Sequence, residues 1–137
     1  MKIKSLLLIT ILLLFSPIGI AQCDTFRARV LDVYDGDTFN ADASLGLGLT
    51  LKIRVRIYGI NSPEMTGTSK LKATASRDSL RSLISDRDIT IKYRGKDKYG
   101  RFVANVYVDT IDVSRWMLKR KLAVRFMDVD SSYVFKD

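Results

Sequence analysis

An acidic turn, Asp35-Gly36-Asp37-Thr38, and a stretch that ends Arg56-Ile57-Tyr58-Gly59-Ile60-Asn61-Ser62-Pro63-Glu64 carry the residues best suited to chemistry. If antiparallel strands join them, one hairpin gathers two acids, an amide, a hydroxyl and an arginine, a cluster able to hold a hard cation against a phosphate. A phosphodiester resists hydrolysis because negative oxygens shield its phosphorus and the transition state accumulates more charge. A site for it needs cations aimed at those oxygens and a group that acts on water. Asp37, Asn61 and the main-chain carbonyl of Ser62 are oxygen donors of the kind Ca²⁺ accepts, which leaves Glu64 for the water. Arg56 and Arg101 supply planar guanidiniums that fork onto a phosphate better than lysine does.

Residue types that are absent narrow the chemistry further. The sequence has no histidine, which removes Ser-His and Cys-His catalysis, histidine general bases and histidine-bound zinc. Its single cysteine, Cys23, has no partner for an internal disulfide and reads as incidental or processing-related, with an intermolecular bridge as an alternative. Carboxylate-bound hard metal, or carboxylates with arginines, is the chemistry that remains.

The elements that must position these residues follow from periodicity. Residues 26–34 place Phe26, Ala28, Val30 and Asp32 on one parity of a first strand. Asp35-Gly36 is a hairpin turn, and residues 38–43 return. Leu45-Gly46-Leu47-Gly48-Leu49 reads as a loop or bulged turn whose leucines cover the core. Residues 51–57 alternate apolar and cationic, the pattern of a strand with one buried face, with Lys52 and Arg54 on a solvated side and Arg56 nearest the acidic end. Residues 69–85 form the long helix, with Ala73, Ser76, Leu80, Leu83 and Ile84 on one stripe. Two more strands, 87–94 and 101–108, flank the turn Lys96-Asp97-Lys98-Tyr99-Gly100. Thr110-Ile111-Asp112 is a turn, and Asp112 caps a short helix from Val113 to about Lys121. Trp116 and residues 118–122 complete the core, and the tail from Asp128 is loop.

Strand, strand, strand, helix, strand, strand, helix is the order of a mainly β (α+β) five-stranded OB-fold barrel with two or three helices, a fold much used on oligonucleotides. Ahead of it, Lys2 and Lys4 precede an apolar run at residues 6–15 and then Pro17, Gly19 and Ala21, the layout of a signal peptide cleaved after Ala21. That run is short for a permanent membrane span. An uncleaved anchor and lipidation of Cys23 are the alternatives, the second weakened by Gln22. The expected division is a signal peptide at 1–21 and one domain at 22–137, secreted or periplasmic. Loss of the two lysines takes the formal charge from +8 to +6, which suits an anionic partner: nucleic acid first, then membrane surface or glycan.

Asp35-Gly36-Asp37-Thr38, Arg56 followed by Asn61-Ser62-Pro63-Glu64, and Asp97-Lys98-Tyr99-Gly100-Arg101 together resemble the staphylococcal nuclease (thermonuclease) family, over about residues 29–126. The resemblance implies a Ca²⁺-dependent endo/exonuclease on an OB-type barrel, acting on DNA and RNA, single-stranded or unpaired stretches favoured, and leaving 3′-phosphate ends. It makes Asp37 the principal metal carboxylate and Ser62 the residue whose main-chain oxygen joins it. Arg56 and Arg101 become the phosphate-binding arginines, Glu64 the group acting on water and Asp35 a supporting acid. Lys98 and Tyr99 contact the terminal phosphate of the nucleotide. A monomer without stable membrane insertion after cleavage is expected.

Three departures stand out. Asn61 occupies a position where the family usually has a second carboxylate, so weaker metal binding is expected. The domain stops soon after Phe126, where the family commonly adds another helix. The family's base-stacking tyrosine falls near Phe126 or Met127. The competing readings are a non-catalytic OB-fold module binding single-stranded nucleic acid, and a basic domain for membranes or glycans, which leaves the motifs unexplained.

Overall fold

Alternation dictates most of the strands, because successive side chains on a strand point to opposite faces and one face here lines a core. The computed structural model of the protein describes residues 24–66 and 69–126. The expected cleavage site, Met127 and the tail lie outside them. The order is β1 (Thr25–Val33), β2 (Thr38–Gly46), β3 (Leu49–Ile57), β4 (Ile60–Asn61), α1 (Lys70–Ile84), β5 (Asp88–Lys96), β6 (Phe102–Val108), β7 (Ile111–Asp112), α2 (Val113–Lys119) and β8 (Val124–Arg125). Strands β3-β2-β1-β5-β6 lie side by side as antiparallel neighbours. A parallel pairing of Val55, Arg56 and Ile57 with Phe102, Val103 and Ala104 joins the two ends. The five strands therefore close into the expected OB-type barrel.

Inside it, Phe39, Ile57, Ile60, Ile89, Ile91 and Val106 are buried, and Leu80 and Ile84 of α1 and Met117 of α2 cap this core. Ser69 makes no side-chain capping bond at the start of α1. Burial of Leu80 and Ile84, each worth about 1.5–3 kcal/mol, docks the helix all the same. Asp112 caps α2 as expected, accepting from the Arg115 amide. That helix ends at Lys119, with Lys119, Arg120 and Lys121 exposed and only Trp116, Leu118 and Leu122 packed at the core's edge.

Two local expectations are corrected. A bulge between Val30 and Asp32 reverses the parity of β1, so Val33 is buried and Asp32 is exposed, where it accepts from Asn40 Nδ2. Strands β2 and β3 also run further than their alternation suggested and leave a turn at Leu47-Gly48. Leu45, Leu47, Leu49 and Leu51 there are all exposed rather than covering the core. Strand β4 was not anticipated; it pairs with β8, Ile60 opposite Arg125 and Asn61 opposite Val124.

Candidate active site

The register of β2 on β3 sets Thr38 opposite Arg56, which brings the acidic turn to the last residues of β3. Asp37 is only 4% exposed, and each of its carboxylate oxygens has partners. Oδ1 accepts from Thr38 Oγ1 at 2.9 Å and lies 3.3 Å from Arg56 Nη1. Oδ2 accepts from the Ser62 amide at 2.6 Å. One carboxylate thus ties the β1–β2 turn to the loop after β4. Arg56, 7% exposed, completes the tie by donating to the carbonyls of Ile57 and Ile60 at 3.0 and 2.7 Å and to Asn61 Oδ1 at 3.0 Å.

Behind the turn stands α1. Gly36 is buried against it, and a Cβ added there would fall well inside contact distance of Ser76 Oγ, 2.7 Å from Ser62 Cβ and 2.9 Å from Ser76 Cβ. Glycine is needed here for close approach rather than for an unusual φ. Ser76 Oγ is buried without a hydrogen-bond partner among the described residues. Gly36→Ala is expected to cost about 1–3 kcal/mol by overpacking and to displace Asp37 from Ser62. A lower Tm and lower activity, both partly restored by adding Ser76→Gly, would confirm it; an unchanged Tm would refute it.

The second hairpin delivers Arg101. Asp97 Oδ1 accepts from the amides of Tyr99 and Arg101, each at 2.9 Å, and Oδ2 accepts from Arg101 Nε at 2.6 Å. The fork's Nη1 reaches Thr38 Oγ1 at 3.4 Å, so Thr38 links both arginine clusters to Asp37. The Tyr99 ring lies beside the cations of Lys98 and Arg101, at 5.0 and 5.3 Å. Burial pushes the Asp97 carboxyl upward, but the Arg101 hydrogen bonds and charge outweigh it and hold the pKa below the usual value.

A depressed acid adds stability that is present above its unfolded pKa and lost as pH falls through the folded one. Asp97→Asn is therefore expected to lower Tm at neutral pH, with the gap to wild type closing once pH falls below about 4. Melts of both proteins across that range check this, and a pH-independent gap would refute it.

Asp35 accepts from the Asp37 amide at 3.0 Å. Its pKa is raised to about 6, by burial first and then by the neighbouring Asp37 charge. Two crowded acids of this kind call for positive charge. Among the described residues no cluster of three or more His, Cys, Asp or Glu is placed to hold a metal, so a cation here would also need neutral oxygens such as Asn61 Oδ1 and the Ser62 carbonyl. The all-oxygen donor set fits a hard cation with few charged ligands, one held weakly.

Glu64 is exposed after β4. It lines a cleft of ≈ 550 Å³ with Asn61, Ser62, Lys72 and Lys121, and no hydrogen bond among the described residues fixes its carboxylate. Phe126 is half-buried, its amide donating to the Gly59 carbonyl at 3.0 Å, close to β4. The fold thus joins Asp35, Asp37, Arg56, Asn61 and Ser62 through direct bonds, links Arg101 to them through Thr38, sets Lys98 and Tyr99 beside Arg101, and leaves Glu64 on the cleft wall. Sequence reasoning named Thr38 and Ser76 but gave neither a role of its own in the site. Thr38 had a signal in its place directly after Asp37, whereas Ser76 looked like any small residue on a buried stripe.

The family described as staphylococcal nuclease homologue matches residues 54–134. A protein of Escherichia coli called an uncharacterized endonuclease is 30% identical over 98 residues, 71% of this chain and 59% of that protein. Another uncharacterized endonuclease, from Haemophilus influenzae, is 28% identical over 120 residues, 88% of this chain and 64% of its own length. The staphylococcal-like nuclease CAN1 of Arabidopsis thaliana is 31% identical over 83 residues, 60% of this chain and 24% of that protein. The chain spans 59% and 64% of the length of the two bacterial relatives.

Proposed function

From the premise that the chain belongs to the staphylococcal nuclease homologues, we propose that it is a Ca²⁺-dependent nuclease hydrolysing DNA and RNA phosphodiesters to 3′-phosphate products. The observation that carries this reading is the buried Asp37 carboxylate, bonded to the Ser62 amide, paired with Arg56 and joined through Thr38 to Arg101. Acid, amide oxygen and two guanidiniums at one end of a barrel suit a bound phosphate and little else. The non-catalytic module has no use for so dense a set.

Asp37, Asn61 and the Ser62 carbonyl would hold the ion, which when bound supplies positive charge to the phosphate oxygens. Arg101 forks onto a non-bridging oxygen. Arg56 adds charge from beneath and keeps Asp37 and Asn61 in place. Glu64, exposed on the cleft wall, takes a proton from the water that attacks phosphorus. The P–O5′ bond breaks, and the departing 5′ oxygen takes a proton from solvent to leave as a 5′-hydroxyl. Tyr99 and Lys98 flank the terminal phosphate. The enzyme works as a monomer on single-stranded or unpaired nucleic acid, and the apolar run at residues 6–15 sends it to the periplasm or the medium.

Degradation of single-stranded DNA by the purified chain is expected with Ca²⁺ and not with EGTA. Glu64→Gln is expected to lower kcat by about 10²–10⁴-fold with Tm unchanged, since Glu64 is exposed. Equal degradation in all arms would sink the site, and binding without cleavage at any Ca²⁺ concentration would favour the non-catalytic module. Asn61→Asp is expected to lower the Ca²⁺ concentration for half activity, because it restores a charged ligand. An unchanged or raised requirement would remove Asn61 from the ligand set.

A further inference from the structure

Strands β2 and β3 carry an apolar tip that the nuclease reading does not use. Leu45 and Leu49 are 60% and 62% exposed, Leu51 is 46% exposed and Leu47 is fully exposed. Their parity explains why they are apolar. Leu49 and Leu51 continue the inward series Ile53, Val55, Ile57, and Leu45 continues Phe39, Ala41, Ala43, but at this height the hairpin has left the core behind. Leu47 has φ 51 between Gly46 and Gly48, also at positive φ. Leucine in the left-handed region costs roughly 1–2 kcal/mol, and Asn or Gly would make the same turn without that strain or the exposed apolar surface. Turn geometry therefore gives no account of this leucine.

The place of the tip supplies one. Ala28 pairs with Ala43, so the start of β1 runs alongside the end of β2, and the chain enters the barrel beside the leucines. Just upstream lies the apolar run at residues 6–15, with only residues 16–24 between it and the barrel. Those nine residues reach at most about 30 Å. Before the expected cleavage the run sits in a bilayer, and the tip is then held within reach of the same membrane. The candidate site is at the other end of the hairpin, since the 9 residues of β2 from Thr38 to Gly46 span roughly 26 Å at strand rise.

We propose that the leucine tip of the β2–β3 hairpin is a membrane-docking element that seats the barrel on a lipid bilayer with its Asp37–Arg101 end facing the solvent. Leu45, Leu47, Leu49 and Leu51 enter the boundary between headgroups and acyl chains. Near them Arg27, Lys52 and Lys92 outnumber Asp24 and Asp42, so anionic lipid favours binding without being required. The element needs no catalysis and stands apart from the nuclease reading.

The test places an environment-sensitive NBD label on the full chain through Leu47→Cys in a Cys23→Ser background, with Leu71→Cys, exposed on α1, as the control position. A circular dichroism spectrum and a Tm matching those of the unlabelled chain show that each labelled protein is folded. Vesicles of phosphatidylcholine with phosphatidylglycerol are expected to shift the emission of the Leu47 label to the blue and raise it several-fold, with quenching by lipid-borne quenchers, while the Leu71 label stays unchanged. No shift at Leu47 while the chain co-sediments with vesicles overturns the proposal, as does an equal shift at both positions. A blue-shifted Leu47 label without vesicles also overturns it. Dependence on protein concentration would then identify a second copy of the chain as the occupant, and independence would identify another segment of the same chain.

Discussion

Arg101→Ala is expected to lower kcat on single-stranded DNA by about 10²–10³-fold, the effect of removing one preorganised donor from a developing charge, while Tm falls little. The guanidinium stands at the barrel's end, 23% exposed, held by Asp97 Oδ2 and touching Thr38 rather than packed in the core. An ion pair in that setting contributes on the order of 1 kcal/mol or less. Asp97 keeps the amides of Tyr99 and Arg101 after the substitution, so the turn survives. Arg101→Lys should recover little, because an ammonium cannot reproduce the planar fork. Steady-state kinetics beside thermal melts separate the roles. A large Tm loss with proportionate loss of activity would make Arg101 a scaffold residue.

Arg56→Ala should behave in the opposite way and lose stability and activity together. Its removal strips donors from the carbonyls of Ile57 and Ile60 and from Asn61 Oδ1, and leaves Asp37 buried without its cation. Breaking a buried pair on one side costs about 3–5 kcal/mol, enough to lower Tm by tens of degrees in a domain of this size. Adding Asp37→Asn removes the orphaned charge, so the double variant should regain part of the lost stability and none of the activity. A single variant that melts like wild type would show that the Arg56 contacts carry no weight.

Both arginines were proposed from sequence, but alternation alone did not foresee the burial of Arg56. Alternation in β3 put Arg56 on the same face as Lys52 and Arg54, and those two are indeed exposed, whereas Arg56 is buried because the acidic turn and the β3–β4 loop fold over the strand's end. Period-2 reasoning sees faces and not ends. The barrel strands and the stripe of α1 were legible because each is written locally in the spacing of apolar residues. The bulge after Val30 was not, since it is a backbone event that no side chain announces. Nor was the β4–β8 ribbon, which pairs two short segments from distant parts of the chain. The leucines at 45–51 misled for a related reason, their apolar parity continuing past the point where the core stops. The D-G-D-T, N-S-P-E and D-K-Y-G-R segments were readable as a set, and the fold joins their residues through Asp37 and Thr38.

The parallel closure of β3 on β6 sets when the candidate site comes into being. Arg56 in β3 and Arg101, directly before β6, lie far apart in the chain and come to the same end of the barrel only once Val55, Arg56 and Ile57 lie along Phe102, Val103 and Ala104. Such non-local pairing is a slow and late part of folding. A chain that ends before β6 lacks this pairing, so its site is incomplete. The nuclease proposed above would therefore gain its site only when β6 is laid down, a timing that topology sets without any inhibitor.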